Sequence, residues 1–173
     1  MSQSCIRCTV AAFALVCASA GATDDEGTPV SLLNVGTGAA VTIWYDEPGH
    51  YLWGYPPHDT RRNRHRLWTV IYRSDGSLSL RNPTTRSCME NHYREGIVNR
   101  PCRDIPKQRF LPLLSHDGGV MLQNGDNGAC LHAYAGFYAH AFSINFRTCP
   151  VSGAVAAGLL WILGPPLQDS VLP

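Results

Sequence analysis

The sequence has little charge, since Asp, Glu, Lys and Arg make up only 16% of its 173 residues. The 14 lysines and arginines nearly balance the 13 aspartates and glutamates, so no overall basic field indicates nucleic-acid binding. No stretch keeps the 3.6-residue period of an amphipathic helix, and 16 Gly and 12 Pro disfavour a helical bundle. The composition favours a single all-β domain of short strands joined by turns.

Motifs that would indicate catalysis or a metal centre are also missing. The 7 histidines include no His-x-x-x-His pair, and the sequence contains no Gly-x-Ser-x-Gly turn. His50, His58 and His65 lie close together in sequence, on segments that we interpret as surface loops. We therefore expect no catalytic residue, no metal site and no cofactor.

The N-terminus has the pattern of an export signal. Arg7 precedes an apolar run over 8–18, and small residues follow that run, which is the order of a signal peptide and its cleavage site. The run is too short to span a bilayer. We predict a signal peptide over 1–22 and a secreted protein, or an outer-membrane-associated one if Cys17 is lipidated.

The rest of the chain contains an internal repeat. Three segments align without gaps, each with a Leu two residues before an Asn and an Ala or Cys six residues after it; these are Asn34, Asn82 and Asn124. Each repeat ends on an aromatic residue in an apolar run, namely Trp68, Phe110 and Trp161. Three units of about four strands, each too small to stand alone, predict a closed threefold β-trefoil. The predicted ranges are a linker over 23–29, a domain over 30–173, and repeats over about 30–72, 73–114 and 115–165 with a short C-terminal tail.

Four cysteines follow the predicted signal peptide: Cys88, Cys102, Cys130 and Cys149. An even number of cysteines in an exported chain indicates disulfides. Three pairings are possible, and the simplest joins Cys88 to Cys102 and Cys130 to Cys149, within repeats two and three. None of the four lies in a Cys-x-x-Cys pair, which disfavours a structural zinc site.

An aromatic segment lies in repeat one, where Tyr51, Trp53 and Tyr55 alternate and would share one face of a strand. Leu52 and Gly54 occupy the other face, and neither is polar, so alternation alone does not decide which face is core. Three adjacent rings would overfill a small trefoil layer, and buried Tyr hydroxyls need hydrogen-bond partners. Both a core strand and an exposed interaction patch stay open from these residues alone.

A basic run follows the aromatic segment, with arginines in four of six positions: Arg61, Arg62, Arg64 and Arg66. Repeat one is longer here than repeat two, so we expect a surface loop. A solvated loop is the simple interpretation. The functional interpretations are contact with acidic glycans, anionic lipid or a partner, and cleavage by a basic-specific protease.

Repeat three has a second stretch rich in aromatic residues: His132, Tyr134, Phe137, Tyr138 and His140. We interpret it as core packing and the edge of a hairpin. A second, shallow binding pocket is the alternative.

The threefold pattern and the within-repeat cysteines resemble ricin-B-type lectin domains. The segments 34–44, 51–55 and 160–166 resemble, more closely, the A subunits of cytolethal distending toxins, with the C subunits second. The resemblance implies a non-catalytic component of a tripartite secreted bacterial toxin, in which two trefoil subunits carry a DNase-I-like subunit to host cells. It also implies an exposed aromatic patch for a receptor or glycan, formed by Trp44, Tyr51, Trp53 and Tyr55.

The partners implied are the DNase-I-like subunit, the second trefoil subunit, and host glycans, glycoproteins or a cholesterol-rich membrane, with no nucleic acid. We expect the partner subunit to contact residues 159–173 and the N-terminal strand. The Gln-x-Trp signature of sugar-binding repeats survives only in part, as at Gln108, which argues against ordinary galactose binding. A stand-alone secreted ricin-type lectin and a Kunitz-type protease inhibitor are the alternative functions.

Overall fold

The computed structural model describes residues 27–93, 96–138 and 141–167. The predicted signal peptide, residues 168–173 and His140 lie outside this range. The described part contains twelve strands: β1 (Val30–Asn34), β2 (Ala40–Ile43), β3 (Leu52–Tyr55), β4 (Leu67–Tyr72), β5 (Leu78–Arg81), β6 (Ser87–Asn91), β7 (Ile97–Pro101), β8 (Phe110–Leu114), β9 (Val120–Asn124), β10 (Cys130–Tyr138), β11 (Ala141–Arg147) and β12 (Trp161–Gly164). A short 3-10 helix precedes β4, β8 and β12: Thr60–Arg66, Pro106–Gln108 and Ala157–Leu159.

Six of these strands close a barrel. Antiparallel pairing runs from β1 to β4, β5, β8, β9 and β12, and β12 pairs back with β1. The other six strands form the hairpins β2–β3, β6–β7 and β10–β11. Each repeat therefore supplies two barrel strands and one hairpin, and the predicted β-trefoil is confirmed.

The aromatic residue that ends each repeat lies in the core. Trp68, Phe110 and Trp161 are each at most 1% exposed. The Trp68 indole N–H donates to the Val41 carbonyl at 3.0 Å, and that of Trp161 donates to the Leu131 carbonyl at 2.9 Å. Both buried indoles thus have hydrogen-bond partners, as burial of a polar N–H requires.

The repeated asparagines join neighbouring repeats. The side-chain oxygen of each accepts a backbone N–H two residues further on, from Gly36, Thr84 and Asp126 at 3.0–3.1 Å. Each amide nitrogen donates across to a carbonyl of another repeat: Asn34 to Leu160, Asn82 to Leu67 and Asn124 to Arg109. Asn recurs in the sequence because its amide both closes its own turn and pairs with a carbonyl of the adjacent repeat.

Both predicted disulfides are present, Cys88–Cys102 and Cys130–Cys149. Ala40 and Gly54 hold the corresponding positions of repeat one. A Cβ at Gly54 would lie 3.1 Å from the Ala39 Cβ and 3.2 Å from the Phe142 Cβ. A side chain at Gly54 would therefore require Ala39 or Phe142 to move by a few tenths of an ångström, and in repeat one the β2–β3 hairpin pairs with β11 instead of carrying a disulfide.

The C-terminal strand is an integral part of the barrel. β12 pairs with β1 on one side and β9 on the other, and both Leu160 and Trp161 are buried. In this strand, Ile162 presents an exposed large apolar side chain. Leu160 and Trp161 thus face the core, and the expectation that residues 159–173 contact a partner stays a prediction that rests on exposed positions such as Ile162.

Candidate binding surface

The β2–β3 hairpin and the 3-10 helix after it position the first predicted site residues. Trp44 directly follows β2, Tyr55 ends β3, and their rings stack with centroids 4.8 Å apart and planes 16° apart. Tyr55 is only 8% exposed, and burial, followed by the charge of Asp59, raises the pKa of its hydroxyl. The expectation of an exposed Tyr55 is therefore wrong, because Trp44 covers its ring. Tyr55 instead packs beneath the Trp44 indole and holds it in place.

Two arginines of the basic run reach the same indole. The guanidinium carbons of Arg61 and Arg62 lie 5.2 and 5.4 Å from the Trp44 ring centroid, within the range of cation–π contacts. With Tyr55 against one face, these arginines leave little of the indole free for a ligand. The predicted aromatic patch and basic run thus meet in a single cluster, called the Trp44 cluster (Trp44, Tyr55, Arg61 and Arg62).

Arg61 is held in place by Asp59. The guanidinium donates from Nε to Oδ1 at 2.9 Å and from Nη2 to Oδ2 at 2.6 Å, a two-point pair. These hydrogen bonds lower the pKa of the Asp59 carboxyl to about 2. The carboxylate therefore stays charged at neutral pH and fixes the arginine that lies over the indole.

Arg66 differs from the other three arginines. The run forms a 3-10 helix in which Arg61 and Arg64 are exposed and Arg62 is half-buried, but Arg66 is 1% exposed. Arg66 Nη1 donates to the Pro57 carbonyl at 2.9 Å, just as the buried Gln108 Nε2 donates to the Pro101 carbonyl at 3.0 Å. Arg66 therefore occupies the position that Gln108 holds in repeat two. The expectation that Arg66 lies on a contact loop is wrong, because its side chain is buried.

Tyr51 and Trp53 lie on a second surface, where β3 pairs with β11. Both side chains are half-buried, and they border a hollow of about 160 Å³ whose other lining residues are Leu52, Ser143 and Ile144. Gly96 of repeat two packs closely against two of the lining residues. A Cβ on Gly96 would lie 2.8 Å from the Ile144 carbonyl oxygen and 3.4 Å from the Tyr51 ring. The three repeats therefore meet beside this Tyr51–Trp53 hollow, which is small and lined with rings, as suits a sugar ring or an apolar group.

Asn99 organises the loop between β2 and β3, although no sequence motif pointed to it. Its amide nitrogen donates to the carbonyls of Tyr45 and Glu47 at 3.2 and 3.0 Å, and its oxygen accepts the N–H groups of Gly49 and His50 at 3.1 and 3.0 Å. Asn99 is 0% exposed and belongs to repeat two. The one available signal was a polar residue in the otherwise apolar start of β7.

The second aromatic-rich stretch lies in β10. His132 is half-buried and Tyr134 is 50% exposed; the side chains of Phe137 and Tyr138 and all of His140 lie outside the described part. His132 Nδ1 lies 3.0 Å from Asn145 Oδ1. Burial, the largest cause, lowers the pKa of His132. This stretch is thus neither wholly core nor wholly exposed.

The described residues contain no group of three or more His, Cys, Asp or Glu that could hold a metal ion. No helix within the same part of the chain is long and apolar enough to cross a membrane. What the surface offers chemically is aromatic rings, guanidinium groups and amide groups on a rigid trefoil. These are groups that bind, and sugars and protein surfaces are the ligands they commonly contact.

Solved structures that resemble this fold include a toxin and a designed protein. A chain of the Haemophilus ducreyi cytolethal distending toxin superposes with a TM-score of 0.73 at 20% identity, covering 84% of this chain and 88% of that chain. ThreeFoil, a designed threefold-symmetric protein, superposes with a TM-score of 0.67 at 12% identity, covering 79% of this chain and 97% of that chain. At these identities the likeness concerns the fold alone.

Sequence relatives are more specific. The A subunit of the Campylobacter jejuni cytolethal distending toxin is 29% identical over 99 residues, which are 56% of this chain and 37% of that protein. Its counterpart in Helicobacter hepaticus is 28% identical over 75 residues, 43% of this chain and 32% of that protein. The chain thus matches about a third of the length of these relatives. The family model of the cytolethal distending toxin A/C domain matches residues 29–171, so the chain belongs to that family.

Proposed function

We propose that this protein is the non-catalytic, cell-surface-binding subunit of a secreted bacterial toxin. In this proposal it is exported, assembles with two other proteins, one DNase-I-like and the other a second trefoil, and carries the DNase-I-like protein to host cells. Membership in the A/C domain family supports the toxin role, and the trefoil supports lectin-like binding. The aromatic and basic side chains around the β2–β3 hairpin supply the binding chemistry.

The observation that carries the proposal is the Tyr51–Trp53 hollow. Trp53 has no stacked aromatic partner among the described residues, unlike Trp44, and it borders an open hollow of about 160 Å³. An indole at the edge of such a hollow can stack on the apolar face of a sugar or receive an apolar group of a receptor. The Trp44 cluster on the same hairpin adds the guanidinium groups of Arg61, which is exposed, and Arg62, which is half-buried, and N–H groups of such guanidinium groups can donate to oxygen atoms of a cell-surface ligand.

Assembly is the part of the proposal that separates a toxin component from a stand-alone lectin. The test is purification of the tagged chain from the culture medium of the organism that produces it, followed by identification of the proteins that co-purify. We expect a DNase-I-like protein and a second trefoil protein in equal amounts. Recovery of the chain alone, with full cell binding, would favour the stand-alone lectin and contradict the toxin role.

A further inference from the structure

A second group of side chains able to bind a ligand surrounds Arg147, at the end of β11. The β10–β11 register pairs Cys130 with Arg147 and His132 with Asn145. Because alternate residues of paired strands share a face, His132, Asn145 and Arg147 lie on one side of this hairpin. Arg147 lines two hollows, one of about 830 Å³ with Asn127 and Asn145 and one of about 340 Å³ with His132 and Tyr134.

Arg147 brings a positive charge to these two hollows. In the described part of the chain it forms no ion pair, whereas Arg61 and Arg109 pair with aspartates. Its positive charge also contributes, after burial, to the lowered pKa of His132. A guanidinium beside two open hollows, without a neighbouring acid, attracts a carboxylate and can hold it by two parallel hydrogen bonds.

The side-chain amides of Asn145 and Asn127 also lie beside Arg147. Asn145 Oδ1 is engaged by His132 Nδ1 at 3.0 Å, and Asn127 Oδ1 accepts the Ala129 N–H at 2.9 Å. Within residues 27–93, 96–138 and 141–167, neither amide nitrogen donates a hydrogen bond to a partner. Both nitrogens are therefore available to donate to the oxygen atoms of a ligand.

Tyr134 adds a ring to this set of donors. It lines the smaller hollow with Arg147 and is 50% exposed. A ligand matching all these groups has a negative charge, several acceptor oxygens and a face that packs on an aromatic ring. A sugar with a carboxylate has each of these properties, whereas an acidic amino-acid side chain offers the charge and the two carboxylate oxygens but no further acceptors and no face to pack on the ring.

We propose that Arg147, Asn127, Asn145 and Tyr134 form a second binding site, for a carboxylate-bearing sugar such as a sialic or uronic acid. Arg147 binds the carboxylate, the two amides bind hydroxyl or N-acetyl oxygens, and Tyr134 packs against the sugar ring. The site belongs to repeat three and is separate from the Tyr51–Trp53 hollow. It can therefore be refuted while the proposed cell-binding function stands.

The test is titration of the full secreted chain with N-acetylneuraminic acid and glucuronic acid, observed by NMR shifts of the Arg147 and Tyr134 signals. We expect saturable binding of at least one acid and none of glucose. Arg147→Gln should weaken binding on the order of tenfold or more, since loss of a charged hydrogen-bonded pair costs about 1.5–3 kcal/mol. Arg86→Gln, which removes an exposed arginine in repeat two, is the matched control and should bind as the parent does.

Three results would overturn the proposal. One is equal binding by Arg147→Gln and the parent chain. Another is equal binding of acetate or free glutamate, which would mean that the carboxylate alone is recognised and that an acidic protein partner is the better ligand. The third is no binding of either acidic sugar. Tyr134→Ala gives an independent check, because it should weaken sugar binding while leaving the charge at Arg147 intact.

Discussion

Replacement of Asn99 tests how the binding hairpin is held. In the Asn99→Ala variant the carbonyls of Tyr45, Asp46 and Glu47 lose a side-chain donor at 3.0–3.4 Å, and the N–H groups of Gly49 and His50 lose a side-chain acceptor at 3.0–3.1 Å. Each net hydrogen bond is worth about 0.5–1.5 kcal/mol, and water can replace part of them because the loop is exposed. We expect the free energy of unfolding to fall by about 2–4 kcal/mol, measured by urea denaturation. Amide exchange should accelerate more at His50 than at Gly49, because the Gly49 N–H also donates to the Asn99 backbone carbonyl at 2.7 Å and keeps that bond.

Asn127→Ala is the control, because Asn127 is exposed and its side chain accepts one backbone N–H. Its loss should cost less than about 1 kcal/mol. Asn99→Asp is a sharper variant, since it keeps the acceptor but turns a carboxylate towards the carbonyls of Tyr45 and Glu47. It should be less stable than the parent at pH 7 and regain stability in acid, where the carboxyl is protonated and can donate. Equal losses for Asn99→Ala and Asn127→Ala would refute the role assigned to Asn99.

Two further predictions concern the Trp44 cluster and the disulfides. NMR titration should give Asp59 a pKa of about 2, and Arg61→Gln should raise this pKa towards the ordinary 3.8. Because the pKa is lowered in the folded state, the charged carboxylate stabilises the fold at pH values above 3.8, and this contribution is lost as the pH falls towards 2. An unchanged Asp59 pKa in Arg61→Gln would contradict the pairing. Replacing both Cys130 and Cys149 with Ala opens a loop of 19 residues and should lower the free energy of unfolding by about 3 kcal/mol, measured in urea. A loss below about 1 kcal/mol would mean that the bridge does not constrain the unfolded chain as assumed.

Features carried within one repeat were predictable from the sequence. The spacing from each Asn to the Ala or Cys that follows it marks a turn and the first strand of a hairpin, so three copies were enough to indicate the trefoil. Trp68 and Trp161 were predictable as core because each lies inside an apolar run at the end of its repeat. The Cys130–Cys149 pairing followed from the same local arrangement.

Features that depend on contacts between distant segments were not predictable. Alternation groups Tyr51, Trp53 and Tyr55 on one face, but it does not reveal that Trp44 covers Tyr55, whereas Tyr51 and Trp53 border a separate hollow. Arg66 lies in a basic run by sequence and in the buried signature position by structure. Asn99 contacts a loop about fifty residues away in sequence, which no local pattern encodes.

Binding to mammalian cells tests the central claim most directly. The labelled chain without its predicted signal peptide would be compared with Trp53→Ala and with Tyr72→Ala, a control that removes a 79% exposed ring at the end of β4. Near-UV circular dichroism would establish that each variant is folded. We predict saturable binding by the parent chain and by Tyr72→Ala. Folded Trp53→Ala should lose most binding, because the indole beside the Tyr51–Trp53 hollow is removed. Equal binding by all three proteins would contradict the assignment of the receptor site to this hollow.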